Sequence, residues 1–453
     1  MWHTCSVREL SQALAQHMVD PWTLFTHFWQ RMEAAPAQIW TFRNYASAAA
    51  QAQQSQQRWL ENRRLGPLDG IGVALKDAID VAGEVTTMAS ATRLHAAPAA
   101  ADAPLVQRLR AQGLVLMGRT NLSEFAFSGL GINPHFGTPA LRNAWGEACA
   151  PGGSSSGSAM ALVHGLVPLA VGTDTSGSVR IPCAWNGLVG LRPGSARYPA
   201  GGIFPLAPAL DVCGPMGRSV DDVRWLDAVM AGHDALEPVL PPSASQPRLW
   251  VPEGQWLQGL DVSVEAAWQQ AMARLAQQGW QIEVRPMPVM QAAMALQARE
   301  GMLVSAQAAR IHSALLDDPD ALAQLHAPVR ERLLQARQLP AEVEHRLLHE
   351  RAQLCAQWQQ SLGTHTLVCM PTTQGLAPAL ERLLHDDQAF AAANLRALRN
   401  TFPSSFLDAP SLTLPLPAAT GRHCGMQLST VPGGEDALLA VAAQMEQQLA
   451  ASH

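Results

Sequence analysis

Charge is scarce in this chain. Only 15% of its 453 residues are Asp, Glu, Lys or Arg, the net charge is −6, and no basic block occurs along it. A nucleic acid as main partner is thereby excluded. Uninterrupted apolar runs of about 20 residues are also missing, so no transmembrane helix and no membrane partner is expected. The opening MWHTCSVREL has neither a basic segment nor an apolar one behind it, and no secretory signal is expected. Seven cysteines are present, scattered and without C-x-x-C spacing. They read as reduced thiols of a cytoplasmic protein, not as a disulfide frame or a zinc cage. The 15 histidines form no H-E-x-x-H pattern, and no metal ligand is assigned.

Apolar residues, by contrast, make up 48% of the chain, enough for a large core. Residues 1–65 read as N-terminal helices. Ser6 with Glu9 forms a capping box ahead of Leu10, Leu14 and Met18, and a second helix begins at Asp20-Pro21 with Trp22, Phe25, Phe28, Trp29 and Met32 as its apolar stripe. From Gly66-Pro67 short strands and helices alternate. Gly70–Lys76 reads as a buried strand ending in one lysine, 103–112 as a helix, 114–117 as a strand, 159–163 as a helix and 167–171 as a strand. Such alternation predicts an α/β fold. We expect a single large domain, residues 1–453, with a mixed central β-sheet covered by helices on both faces. Residues 66–235 form its core, and about 290–362, rich in Ala, Gln and Leu, form a helical cap-like segment.

Inside the core stands APGGSSSGSAMA, residues 150–161. Gly/Ser runs are ordinarily flexible spacers, but this one is flanked on both sides by core elements rather than domain boundaries. A phosphate loop of the G-x-x-x-x-G-K-[ST] type is excluded because no lysine follows the glycines. Two further stretches belong with it: Val73-Ala-Leu-Lys76-Asp77, and Gly172-Thr-Asp-Thr-Ser-Gly-Ser178-Val-Arg180-Ile-Pro182. Each alone is a weak signal. Together, in this order and with Ser154 standing 24 residues before Ser178, they closely resemble the amidase signature family. The resemblance is strongest over residues 66–235.

It implies a Ser–Ser–Lys triad of Lys76, Ser154 and Ser178. Ser178 would be the nucleophile, Ser154 the bridge (with a cis peptide bond in the family), and Lys76 the base. A serine hydroxyl needs such a base within reach, and a lysine must be desolvated to serve near neutral pH. Lys76 closes the apolar run 71–75, while Asp77, next along the strand, faces the other way. Backbone N–H groups of Thr175, Ser176, Gly177 and Ser178 would form the oxyanion hole. Asp174 and Arg180 would brace the nucleophile loop, with Gly152, Gly153 and Ser155 supporting the bridging serine. Ser155, Ser156 and Ser158 would hydrogen-bond the loop backbone, and Asn121, Ser123 and Glu124 would support the site from beneath. The substrate implied is a small linear amide, with no metal or organic cofactor.

Two departures bear on these expectations. Ser176 replaces the first of two glycines usual before the nucleophile, a position where positive φ would disfavour serine, and Ala89 stands where glycine is common. The Ser176 replacement hints at urea-like substrates. Gly190-Leu-Arg-Pro193, Arg197-Tyr-Pro199 and Asp211–Pro215 instead resemble the branch acting on arylacetamides. The alternatives are a glutaminase subunit of a tRNA-dependent amidotransferase, working only with partner subunits, and a catalytically dead relative serving as binding protein or scaffold. Family members are often dimers. The apolar N-terminal helices therefore serve either a homodimer interface or packing in cis.

Overall fold

The computed structural model describes residues 1–233, 246–363, 365–418 and 421–450. The ends of two expected segments, 234–235 and 451–453, lie outside the described residues. Thirteen strands occur among the described residues: β1 (Trp40–Phe42), β2 (Gly72–Lys76), β3 (Val115–Thr120), β4 (Leu141–Arg142), β5 (Ala148–Cys149), β6 (Leu169–Asp174), β7 (Val189–Arg192), β8 (Val212–Gly217), β9 (Arg248–Pro252), β10 (Ile282–Arg285), β11 (Thr366–Pro371), β12 (Ser411–Pro417) and β13 (His423–Ser429). Eleven form one sheet in the order β1-β3-β2-β6-β8-β7-β12-β13-β11-β9-β10, while β4 and β5 make a small hairpin. β2 runs parallel to both β3 and β6, and β9 to both β10 and β11; the other pairs are antiparallel. The sheet is mixed, flanked by helices, and belongs to a single α/β domain, as the alternation predicts.

Why the chain folds this way is plainest around β2. All five residues of Gly72–Lys76 are buried, as a strand covered on both faces requires. Its neighbour β6 is buried along its whole length too. Leu75 is in register with Val171, so the two strands deliver Lys76 and Thr173–Asp174 to the same carboxyl edge. That edge is where open α/β sheets bind ligands.

The N-terminal helices Val7–Ala15 and Pro21–Ala34 begin at the expected caps, Ser6 and Asp20. Leu10, Leu14, Phe25, Phe28 and Trp29 are buried in one core cluster with β2, β3 and β6, so this apolar stripe packs in cis. Met18 does not join it. The first helix ends at Ala15, His17 takes φ +56°, and Met18 is 66% exposed. The all-helical reading of residues 1–65 also misses β1, an edge strand too short to show a period.

Residues 288–361 are the helices Pro288–Glu300, Leu303–Ile311, Ser313–Leu316, Pro319–Ala323, Ala327–Ala336 and Ala341–Ser361. They share a core cluster with Phe125, Phe127, Phe402 and Phe406. The cap-like segment therefore packs on the same loops that border the carboxyl edge of β6.

Candidate active site

Lys76 is fully buried, and its Nζ donates to Ser154 Oγ at 2.6 Å and Thr173 Oγ1 at 2.7 Å. Burial pulls its pKa from 10.5 down to about 7, with Asp174 and Asp211 opposing the fall through their charge. Asp77 points away, as strand alternation predicts: it accepts from the Thr87 N–H at 3.2 Å and from Arg119 at 3.2 Å. Thr173 is a partner of the lysine that sequence reasoning misses. Only the register between β2 and β6 brings it there.

The Gly/Ser loop is held rigidly. Gly152 N–H donates to Leu130 O at 3.1 Å and Gly153 N–H to Gly129 O at 2.8 Å, and the Gly153–Ser154 peptide is cis. A side chain on Gly153 would lie 2.4 Å from the Gly131 nitrogen, so glycine is obligatory there. The 129–131 segment is fixed in turn by Ser123, whose Oγ donates to Ser128 O and accepts from the Gly131 N–H. Asn121 donates to Gln38 O and Gly137 O. Glu124 accepts from Ser90 Oγ and from the His326 N–H, which ties the cap to this floor.

The loop serines divide their work differently from expectation. Ser155 Oγ bonds both the N–H and the C=O of Thr173, and Ser158 Oγ donates to Val171 O, so both grip β6 rather than their own loop. Ser156 Oγ is buried with no partner. Residues 153–157 also spell G-x-S-x-G, the nucleophile pattern of a different class of hydrolase. The serine at its centre, Ser155, is spent on β6.

The second motif forms the opposite wall. Asp174 accepts from the Gly177 N–H at 2.7 Å, the Val179 N–H at 3.2 Å, and Arg180 Nε and Nη2 at 3.0 Å each. Burial would raise its pKa, but the charges of Arg180 and Arg192 hold it down at about 2. Arg180 continues outward to Ser404 Oγ at 2.6 Å, Gln427 Oε1 at 2.7 Å and Ser405 Oγ at 2.6 Å. The 175–178 loop is thereby anchored to the helix Phe402–Phe406 and to β13, with Thr401 Oγ1 donating to Ser176 O at 2.6 Å. Thr175 Oγ1 donates to Asp211 at 2.5 Å.

Two expectations are corrected here. The Gly177 N–H is committed to Asp174, whereas the N–H groups of Thr175, Ser176 and Ser178 take no acceptor among the described residues. Ser176 has no positive φ; Gly177 takes φ +133°, and a Cβ there would meet Thr401 Oγ1 at 2.2 Å. The strained backbone position is therefore the second of the pair, where glycine is retained, and serine is tolerated at the first. Ala89, the other departure, does sit at positive φ, +48°.

Ser178 borders a cavity of about 470 Å³ together with Thr175 and Ser176. Its carbonyl accepts from the Ser155 N–H at 3.2 Å, which locks the 175–178 loop to the residue beside Ser154. The hydroxyls of Ser154 and Ser178 form no mutual hydrogen bond in this arrangement, and Ser154 Oγ is held on Lys76. Helices of 288–361 and the helix Asp387–Leu398 roof the cavity with Met294, Leu339, Phe390 and Leu398. Among the described residues no group of His, Cys, Asp and Glu is arranged to hold a metal ion. No described helix is long and apolar enough to cross a membrane.

The chain is similar to known proteins. The family model Amidase matches residues 23–439. A 2-amino-5-chloromuconic acid deaminase of Comamonas testosteroni is 34% identical over 397 residues, 87% of this chain and 84% of that protein. A mandelamide hydrolase of Pseudomonas putida is 32% identical over 404 residues, 83% and 78% of the two chains. One subunit of a glutamyl-tRNA(Gln) amidotransferase from Symbiobacterium thermophilum is 42% identical, but over only 236 residues, 49% of this chain and 48% of that one. Among solved structures, a crystal structure of an amidase superposes with a TM-score of 0.85 at 28% identity, covering 98% of this chain and all of the other.

Proposed function

The chain belongs to the amidase family, a hydrolase of the carbon–nitrogen bond of linear amides, and on that premise we propose that Lys76, Ser154 and Ser178 act as a relay that hydrolyses a small carboxamide to carboxylate and ammonia. The observation that carries this reading is the short contact of a buried, desolvated lysine with Ser154, one residue from the amide that fastens the Ser178 loop. Ser178 Oγ attacks the carbonyl carbon. Its proton passes to Ser154 and the Ser154 proton to neutral Lys76, a transfer that needs the Ser178 hydroxyl to turn from the cavity toward Ser154. The oxyanion is met by the free N–H groups of Thr175, Ser176 and Ser178. Collapse breaks the C–N bond, and Ser154 returns a proton to the departing ammonia. Water then attacks the acyl-enzyme through the same relay and releases the carboxylate.

Small molecules are favoured as substrates by the size of the cavity beside Ser178 and by relatives matched over most of their length, named for 2-amino-5-chloromuconic acid and for mandelamide. The identity with the amidotransferase component supports glutamine hydrolysis as a second reading, though over half the chain alone. A cytoplasmic setting is supported by seven free cysteines. The test is ammonia release from mandelamide, indoleacetamide, benzamide, propionamide, glutamine, biuret and allophanate, with Ser178→Ala beside wild type. Release by wild type and its loss in the variant are expected. Equal release by both would remove Ser178 from the chemistry, and release from glutamine alone would select the second reading.

A further inference from the structure

Two arginines of the cavity lining have no carboxylate partner among the described residues. Arg332, on the helix Ala327–Ala336, lines the same cavity as Ser178. Its guanidinium lies over the Phe127 ring, 3.8 Å from the centroid, and Nη1 donates to the Phe127 carbonyl. No carboxylate of the described residues comes within the 4.0 Å that defines an ion pair with it, and Arg399, on the same lining, has none either. Desolvation lowers Arg332 to about 10, so it stays cationic at neutral pH. Arg332 is half-buried on this lining, where an anionic group of a ligand would answer its charge.

The acids of the lining do not match it. Glu331 and Asp387 belong to exposed residues, and neither pairs with Arg332 or Arg399. The rest of the roof is Met294, Leu339, Phe390 and Leu398, which offer no charge. A guanidinium with one edge fixed on Phe127 presents its remaining N–H groups as a planar fork, the geometry that fits a carboxylate in two-point contact.

We propose that the substrate is an amide that also bears a carboxylate, held by the Arg332 fork while its amide carbonyl lies at Ser178. This rests on the hydrolase reading of Ser178 and narrows it to a class. A cavity of about 470 Å³ has room for a short acid amide. Arg332 is then a specificity residue: it acts on the charged end of the substrate and leaves the bond chemistry to the relay.

The test compares kcat/KM for succinamate and adipamate with that for the neutral butyramide and hexanamide. Wild type, Arg332→Met, Arg332→Lys and Ser178→Ala are measured. The wild type should favour the acids by about tenfold to a hundredfold, the usual range for a charge-assisted hydrogen bond. Arg332→Met should bring the ratio of acid to neutral amide close to unity, and Arg332→Lys should keep part of it. Glutarate, which cannot be hydrolysed, should raise the Tm of the wild type and not that of Arg332→Met. A wild-type ratio of one or below overturns the proposal. So does an Arg332→Met variant that loses both substrate types equally, which would assign the arginine to holding Phe127. If neutral amides are hydrolysed in a Ser178-dependent way without preference for acids, the class assignment alone falls. Ammonia from none of the four, beside Ser178-dependent release from mandelamide, overturns this proposal and leaves the hydrolase reading standing.

Discussion

Replacing Lys76 by Met should make the protein more stable and inactive at once. Methionine is close to the lysine stem in volume and carries no charge into a fully buried site. The fall of the Lys76 pKa from 10.5 to about 7 corresponds to roughly 5 kcal/mol of penalty on the charged form. Below pH 7 both folded and unfolded chains hold the proton, and the whole penalty opposes folding. Between pH 7 and 10.5 the folded protein is neutral while the unfolded chain still binds the proton, so the penalty shrinks as pH rises. It amounts to about 4 kcal/mol at pH 7 and about 2 at pH 9. Loss of the hydrogen bonds to Ser154 and Thr173 takes back about 1 kcal/mol each. Urea midpoints of wild type and Lys76→Met should therefore differ in favour of the variant at pH 7, and the difference should close by pH 9. Ammonia release should fall by about 10²–10⁴-fold, the usual contribution of a positioned base. The wild-type kcat/KM should rise with pH up to about 7 and then level, because only neutral Lys76 accepts a proton. A stability difference that stays constant from pH 7 to 9 would mean that the lysine keeps its ordinary pKa, and the relay would lose its base.

Asp174→Ala should destabilise by about 3–5 kcal/mol, because Arg180 and Arg192 would remain buried without their shared carboxylate. Equilibrium unfolding at pH 7 reads this directly. Since Asp174 is held near 2, its contribution is present above pH 3.8 and lost as pH falls through 2, so the gap between wild type and variant should narrow over that window. Gly177→Ala should lower hydrolysis at least about a hundredfold, because its Cβ must displace Thr401 and with it the nucleophile loop. Gly83→Ala is the control: its φ is also positive, +78°, but no atom lies within 4 Å, so it should lose about 1–2 kcal/mol of stability and keep its activity.

Much of this site is legible in the sequence because its parts lie in short contiguous strings. The strand 72–76 reads as buried from its unbroken apolar run, and the lysine at its end needs no tertiary information to be noticed. The two glycine-serine strings likewise announce backbone that must turn tightly. What stays hidden depends on partners far apart in the chain. Thr173 meets Lys76 only through the pairing of β2 with β6, and Thr401 fixes Ser176 from 225 residues away. The charged network is equally non-local: Arg180 ends on Ser404, Ser405 and Gln427, residues with no pattern to mark them.

The corrected details share one physical cause. A donor count taken from sequence treats every N–H of Thr175–Ser178 as available, whereas a buried carboxylate beside them must be satisfied first. Asp174 takes the Gly177 and Val179 N–H groups and two arginines because an uncompensated carboxylate is untenable in that interior. The same demand explains why positive φ falls on Gly177 and spares Ser176. To aim its N–H at Asp174 while its own carbonyl receives the Ile181 N–H, the chain must turn sharply at one residue, and that residue abuts Thr401. Glycine is required where the turn and the close approach coincide. One position earlier neither condition holds, and there the protein is free to place a hydroxyl two residues before Ser178.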